Sequence, residues 1–188
     1  MKNSGTINVG NAGSSENKSA GMYGLLTGGT LNITNENAGN INVNMTKSAG
    51  IFAESSTSSN SDLNAENQGT VTVNGNESVG MYGITDNTTD TINLSNTGTI
   101  NLNSEDSVGI FAKNGNSAIN NSVISNTGTI NLNKKQTVGI FTPKSKITNV
   151  GKIVLSDNAN SSVAVYLTDL AEADTSTGNI DLNSVSQN

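Results

Sequence analysis

The chain has 188 residues, with 9 Lys and no Arg against 15 acidic residues and a net charge of −6, so it has no basic stripe to neutralise a nucleic-acid backbone. It contains no His and no Cys, which excludes Ser-His and Cys-His nucleophilic sites and His- or Cys-ligated metal centres. No apolar run approaches the ~18 residues that a membrane-spanning helix requires.

Hydrophobic residues make up 32% of the chain and aromatics 3%. Scattered at that density, they would leave a chain disordered. Here they cluster. In chain order the first cluster is NSGTINV from Asn3, the second SAGMYG from Ser19, and the third LNIT from Leu31. The three then recur. The first returns as NAGNINV from Asn37, NQGTVTV from Asn67, NTGTINL from Asn96 and again from Asn126, NVGKIVL from Asn149, and a degenerate STGNIDL near position 177. The second returns as SAGIFA, SVGMYG, SVGIFA and TVGIFT, decaying to SVAVYL. The third returns as LNAE from Leu63, INLS from Ile92, VIS from Val123 and IT at Ile147.

The glycines of the first phrase (Gly5, Gly39, Gly69, Gly98, Gly128, Gly151, Gly178) lie 34, 30, 29, 30, 23 and 27 residues apart. Those of the second (Gly21, Gly50, Gly80, Gly109, Gly139) follow at offsets of 16, 11, 11, 11 and 11. A fixed offset inside a period near 30 is the signature of a repeat architecture. Length varies ahead of the third cluster, which places a surface loop there.

Each phrase alternates with period 2, as a strand with one buried face does. Ile100 and Leu102 are expected inward with Thr99 and Asn101 outward, and Val108, Ile110 and Ala112 are expected inward on the second strand. Three short strands per ~30 residues predict an all-β, right-handed parallel β-helix (β-solenoid) of about six coils, a single segment over 1–188. One coil cannot bury its own inner side chains, and a stack can.

Two columns follow from that stacking. The Asn that opens each repeat (Asn3, Asn37, Asn67, Asn96, Asn126, Asn149) is read as a structural turn ladder of amides bonded along the stack, and the glycines after it as positions needing φ > 0. Tyr23, Phe52, Tyr82, Phe111 and Phe141 share one position, continued by Tyr166. As an outward column they are ligand-contact candidates for a sugar face, a protein or a neighbouring helix. The bland alternative places them under the variable loop or in the core. A third column, Thr-x-Asn on the first strand (Thr6/Asn8, Thr99/Asn101, Thr129/Asn131), resembles an ice-binding array as much as it does any solvated β-helix face.

Catalysis has little to stand on. Polysaccharide-degrading β-helices work with carboxylates gathered in a cleft, whereas Asp86, Asp90, Glu105, Asp106 and Asp157 fall in turns and do not recur as pairs. The GGxGxD calcium-binding repeat is absent. The expectation is a non-enzyme with no cofactor and no metal.

The pairing of NTGTINLN with SVGIFA or NESVGMYG at a fixed offset, over about Asn3 to Asn183, resembles the passenger repeats of fusobacterial type V autotransporter adhesins. The resemblance implies a surface-exposed β-helix displayed by a C-terminal outer-membrane barrel and acting in host-cell or interbacterial attachment, with a surface glycan or protein as partner. This chain shows no apolar h-region in MKNSGTINVGNAG and no barrel. Export signal and membrane anchor are therefore expected outside it, and the segment itself is expected to be monomeric.

Overall fold

The computed structural model describes residues 1–11, 18–56, 61–87, 89–114, 122–168, 172–173 and 179–181. Strands follow one another in threes. The chain opens with β1 (Lys2–Asn3), β2 (Thr6–Val9) and β3 (Ala20–Leu26), then β4 (Gly29–Asn35), β5 (Asn40–Val43) and β6 (Ala49–Ser55). Next come β7 (Ser61–Asn67), β8 (Thr70–Val73), β9 (Val79–Thr85), β10 (Thr91–Asn96), β11 (Thr99–Leu102) and β12 (Val108–Asn114). The C-terminal part holds β13 (Val123–Asn126), β14 (Thr129–Leu132), β15 (Val138–Thr142), β16 (Lys146–Asn149), β17 (Lys152–Leu155), β18 (Val163–Leu167), β19 (Glu172–Ala173) and β20 (Asn179–Asp181).

Every third strand pairs in parallel. Sheet 1 runs β1-β4-β7-β10-β13-β16-β19, sheet 2 runs β2-β5-β8-β11-β14-β17-β20, and sheet 3 runs from β3 through β6, β9, β12 and β15 to β18. The protein is an all-β parallel solenoid with three sheets and no helix among the described residues. About four turns, β4 to β15, are regular and fully cored. Outside them β1 and β19 shrink to two residues and β18 keeps no fully buried position, so the expected six coils reduce to about four complete ones. Of the degenerate repeat near 177, Gly178 lies outside the described residues, while Asn179–Asp181 pairs with Lys152–Val154.

Register places like over like. Thr70, Thr99 and Thr129 stack outside, while Val71, Ile100 and Ile130 stack inside, as do Val73, Leu102 and Leu132. These inner residues are wholly buried, together with Leu63, Ile92 and Leu94 from sheet 1 and Ile51, Met81 and Ile110 from sheet 3. β-branched and Leu side chains at alternate positions fill a narrow three-walled core, each fully buried side chain contributing roughly 1.5–3 kcal/mol of transfer free energy.

The second strand corrects one expectation. Ile110 and Ala112 face inward and are buried, but Val108 is only half-buried and shares the outer face with Phe111. A Cβ at Gly109 would lie 2.5 Å from the Gly139 carbonyl and 3.0 Å from Ile130 Cγ2, so this position also faces the core. Two consecutive inward positions, the first without a side chain, break the period-2 pattern and put Val108 and Phe111 on one face.

The amide ladder exists with two members changed. Asn3 Nδ2 donates to Asn35 Oδ1 at 2.8 Å, Asn35 to Asn67 at 2.8 Å, Asn67 to Asn96 at 2.7 Å, and Asn96 to Asn126 at 2.7 Å. Asn37 is not in this column. It sits exposed in a turn two residues longer than the others, and Asn35 takes its place because sheet register, not distance from the following Gly, sets the column. Asn149 also leaves the column. A register shift after Ile124 pairs it with Ser125, so the Asn126 amide donates instead to the Val150 carbonyl at 2.6 Å while Asn149 Oδ1 accepts from Gly151 N–H.

Of the Asn-x-Gly glycines within the described residues only Gly151 has positive φ, at 57°. At Gly98 the demand is steric, since a Cβ would run into the Gly69 carbonyl and the Gln68 backbone of the preceding coil. The left-handed position of each coil is one corner further on, filled by Lys18, Lys47, Glu77, Asp106, Gln136 and Ser161, with φ between 53° and 68°. A left-handed non-Gly residue costs roughly 1–2 kcal/mol, and glycine there costs about 0.5–1 kcal/mol of extra chain entropy. Gln136→Gly, at an exposed site, is therefore expected to stabilise by about 0.5–1 kcal/mol and raise the melting temperature by about 2 °C in a thermal scan. An unchanged or lower melting temperature would contradict the strain.

Candidate binding face

The three outer faces differ in chemistry. Sheet 1 presents Asn32, Asn64 and Asn93, whose amides bond in series at 2.9–3.1 Å. Sheet 2 carries the Thr-x-Asn array, where Asn42 donates to Asn8 and Asn131 to Asn101, both at 2.8 Å. Much of the hydrogen-bonding capacity of these two faces is thus already engaged between coils. Sheet 3 is the apolar face.

Along sheet 3 the six aromatics form one continuous outward stack. Ring centroids are 5.2 Å apart from Tyr23 to Phe52, 4.8 Å to Tyr82, 5.1 Å to Phe111, 4.9 Å to Phe141 and 5.1 Å to Tyr166. The three central pairs are nearly parallel, at 5–14°. Ring spacing equals the strand spacing of ~4.8 Å, so each ring lies across the solenoid axis with its faces against its neighbours and its edge toward solvent. Phe52, Tyr82, Phe111 and Phe141 are half-buried, while the terminal Tyr23 and Tyr166 are 45% and 48% exposed. The column is therefore outward-facing rather than core, and its inner members offer edges in place of the faces that a stacked sugar would need. Each contact of this kind contributes roughly 0.5–1.5 kcal/mol to the stack.

The stack has a companion column three residues earlier that sequence reasoning did not separate from the core: Ala20, Ala49, Val79, Val108, Val138 and Val163. Its sequence signal was the switch from Ala-Gly to Val-Gly between the second and third copies of the phrase. Where the column is Ala, the face is hollowed into an open groove of about 720 Å³ between the aromatic stack and the turn that carries Lys18 and Lys47. Lys47 Nζ lies 3.6 Å from the Glu77 carboxylate, and among the described residues no ion pair holds Lys18. On the far side, Tyr23 Oη donates to Glu54 at 3.0 Å. Burial, then the hydrogen bond to Glu54 and its charge, push the Tyr23 pKa up; burial, then the charges of Glu54 and Asp86, do the same for Tyr82. Both phenols stay protonated and neutral at pH 7.

The carboxylates expected in turns divide. Asp86 and Asp106 are exposed, but Asp90 is buried at the corner between sheets 3 and 1. It accepts hydrogen bonds from Ser55 Oγ (2.5 Å), Thr85 Oγ1 (2.8 Å) and Ser61 N–H (2.9 Å). Three donors satisfy it, so its role is to tie two successive turns together.

Comparison with curated proteins and with solved structures finds no match. The model of one protein family, the BigA fourth domain, matches residues 44–160, a stretch that contains β6 to β17 and the centre of the aromatic stack. The match spans more than half of the chain, so this chain belongs to the BigA fourth domain family, an adhesin-type domain of bacterial surfaces.

Proposed function

We propose that this chain is a rigid, non-catalytic segment of a bacterial autotransporter passenger, of the fusobacterial kind its repeats resemble. In this reading a right-handed solenoid holds adhesive surfaces away from the outer membrane for attachment to host cells or to other bacteria. The observation that carries the reading is the contrast among the faces. Two are polar and amide-laddered, whereas sheet 3 displays an unbroken apolar and aromatic column on a frame of parallel strands. A row of aromatic edges on a stiff scaffold favours many weak contacts with a large surface over turnover of a small substrate.

Fluorescently labelled chain added to epithelial cells and to bacterial cells is expected to bind saturably. Alanine at Phe52, Tyr82 and Phe111 together is expected to reduce that binding several-fold while the strand-type circular-dichroism spectrum persists. No binding to either cell type would overturn the adhesive reading and leave the segment a spacer. Unchanged binding in the triple variant would move the contact off sheet 3.

A further inference from the structure

From the groove at the Ala20/Ala49 end of sheet 3 we infer a binding site for a glycan that ends in a single carboxylated sugar; the inference rests on the adhesive reading above and names its ligand class. Two independent departures from the repeat coincide in the same two coils. The companion column is Ala at 20 and 49 but Val at 79, 108, 138 and 163, which hollows the face there and closes it at Val79. The left-handed turn position is Lys at 18 and 47 but Glu, Asp, Gln or Ser in the later coils, so the rim of the hollow carries two ammonium groups against the single carboxylate of Glu77. Neither departure is needed to build a coil, since the later coils stack in the same register without them.

The chemistry of the lining selects the ligand. Phe52 and Tyr82 have their faces covered by neighbours, so their hydrogen-bearing edges point outward, and aromatic edges carry the positive end of the ring quadrupole. Edges and ammonium groups together favour carboxylate oxygen over the face of a neutral hexose. The number of charges is bounded as well. Lys47 is shared with Glu77, and a net charge of −6 repels a polyanion, so one carboxylate suits the site better than a chain of them. An acidic peptide is disfavoured for a different reason. The backbone groups of the floor strands lie in the plane of sheet 3, engaged between coils except on the outer side of β3 where the sheet ends, so none points up from the groove floor toward a bound main chain. A volume near 720 Å³ lies within the range of small-ligand sites, roughly 300–1,000 Å³.

The test titrates the whole chain with 3′-sialyllactose, with lactose and with a short Glu-rich peptide, following binding by saturation-transfer NMR. Sialyllactose is expected to bind at least about tenfold more tightly than either control, the worth of one charge-assisted hydrogen bond. Lys18→Gln with Lys47→Gln is expected to weaken it by about the same factor. Ala20→Val with Ala49→Val, which restores the residue the later coils carry and so keeps the fold, is expected to abolish it. Equal affinity for lactose, tighter binding of the peptide, indifference to both double variants, or no binding by the parent chain would each overturn the site. Cell adhesion measured in parallel separates the two ideas. Adhesion that survives without sialyllactose binding overturns only the ligand assignment, and loss of adhesion in the parent chain overturns the reading beneath it.

Discussion

Asn96→Asp is expected to destabilise the solenoid by about 3–5 kcal/mol at neutral pH, the scale of an uncompensated buried charge. Asn96 is wholly buried, accepts from Asn67 Nδ2 and donates to Asn126 Oδ1, both at 2.7 Å. A carboxylate keeps the first bond but turns the second into contact between two acceptor oxygens. Protonation repairs that contact, because a carboxylic acid O–H can donate to Asn126 as the amide does. The folded-state pKa of the introduced Asp is therefore raised above its unfolded value. The folded state then binds more protons across that interval, so stability falls as pH rises through it and the deficit shrinks toward acid pH. Urea denaturation of parent and variant at pH 4 and pH 8 checks both parts. A deficit independent of pH, or larger at pH 4, would contradict a buried ladder carboxylate. Asn37→Asp is the control: exposed and outside the ladder, it should stay within about 0.5 kcal/mol of the parent.

The second large effect belongs to Gly98. Substitution by Ala should cost about 3 kcal/mol, at the upper end of overpacking penalties, because the new methyl group meets backbone atoms of Gln68 and Gly69 that have no rotamer to give. The variant that discriminates the cause is Gly98→Asn. If a left-handed φ were the requirement, Asn would be tolerated far better than Ala. Since φ at Gly98 is not positive and the obstacle is the neighbouring coil, Asn should destabilise at least as much as Ala. Thermal melts of the two variants decide it, and a stable Asn variant would restore the conformational explanation.

Both predictions concern the corner that was most legible as a pattern and least legible as a cause. The spacing of Asn-x-Gly located every corner from Asn67 to Asn126, yet it placed Asn37 in a ladder that passes through Asn35. A turn lengthened by two residues keeps its Gly in phase with the next strand, while the amide column follows sheet 1. Asn149 left the column for a related reason, a one-residue register shift in a shortened coil. Spacing along the chain measures distance to the next strand, and stacking obeys distance between strands.

The aromatic column shows the same division. One repeat position and its outward side could be read from period 2, because Ile110 and Ala112 had to be buried. Whether the rings would offer faces or edges depended on the rise between coils, which aligns consecutive rings at about 5 Å and covers their faces. The groove left only a faint trace in the sequence, the switch from Ala-Gly to Val-Gly, whose meaning required the fold. Ala20 and Ala49 looked like weak copies of core Val, and only the bend at the following glycine turned that column outward beside Lys18 and Lys47.

By itself, then, the sequence determined the strand class, the three-strand unit of about 30 residues and most of the core, because a repeated period-2 pattern has one way to bury its apolar face. Tertiary structure alone decided how many turns are complete, which amides bond in series, why the corner glycines are required and where a hollow opens on the surface. Those properties arise from contacts between residues about 30 positions apart, set by how one coil lies on the next.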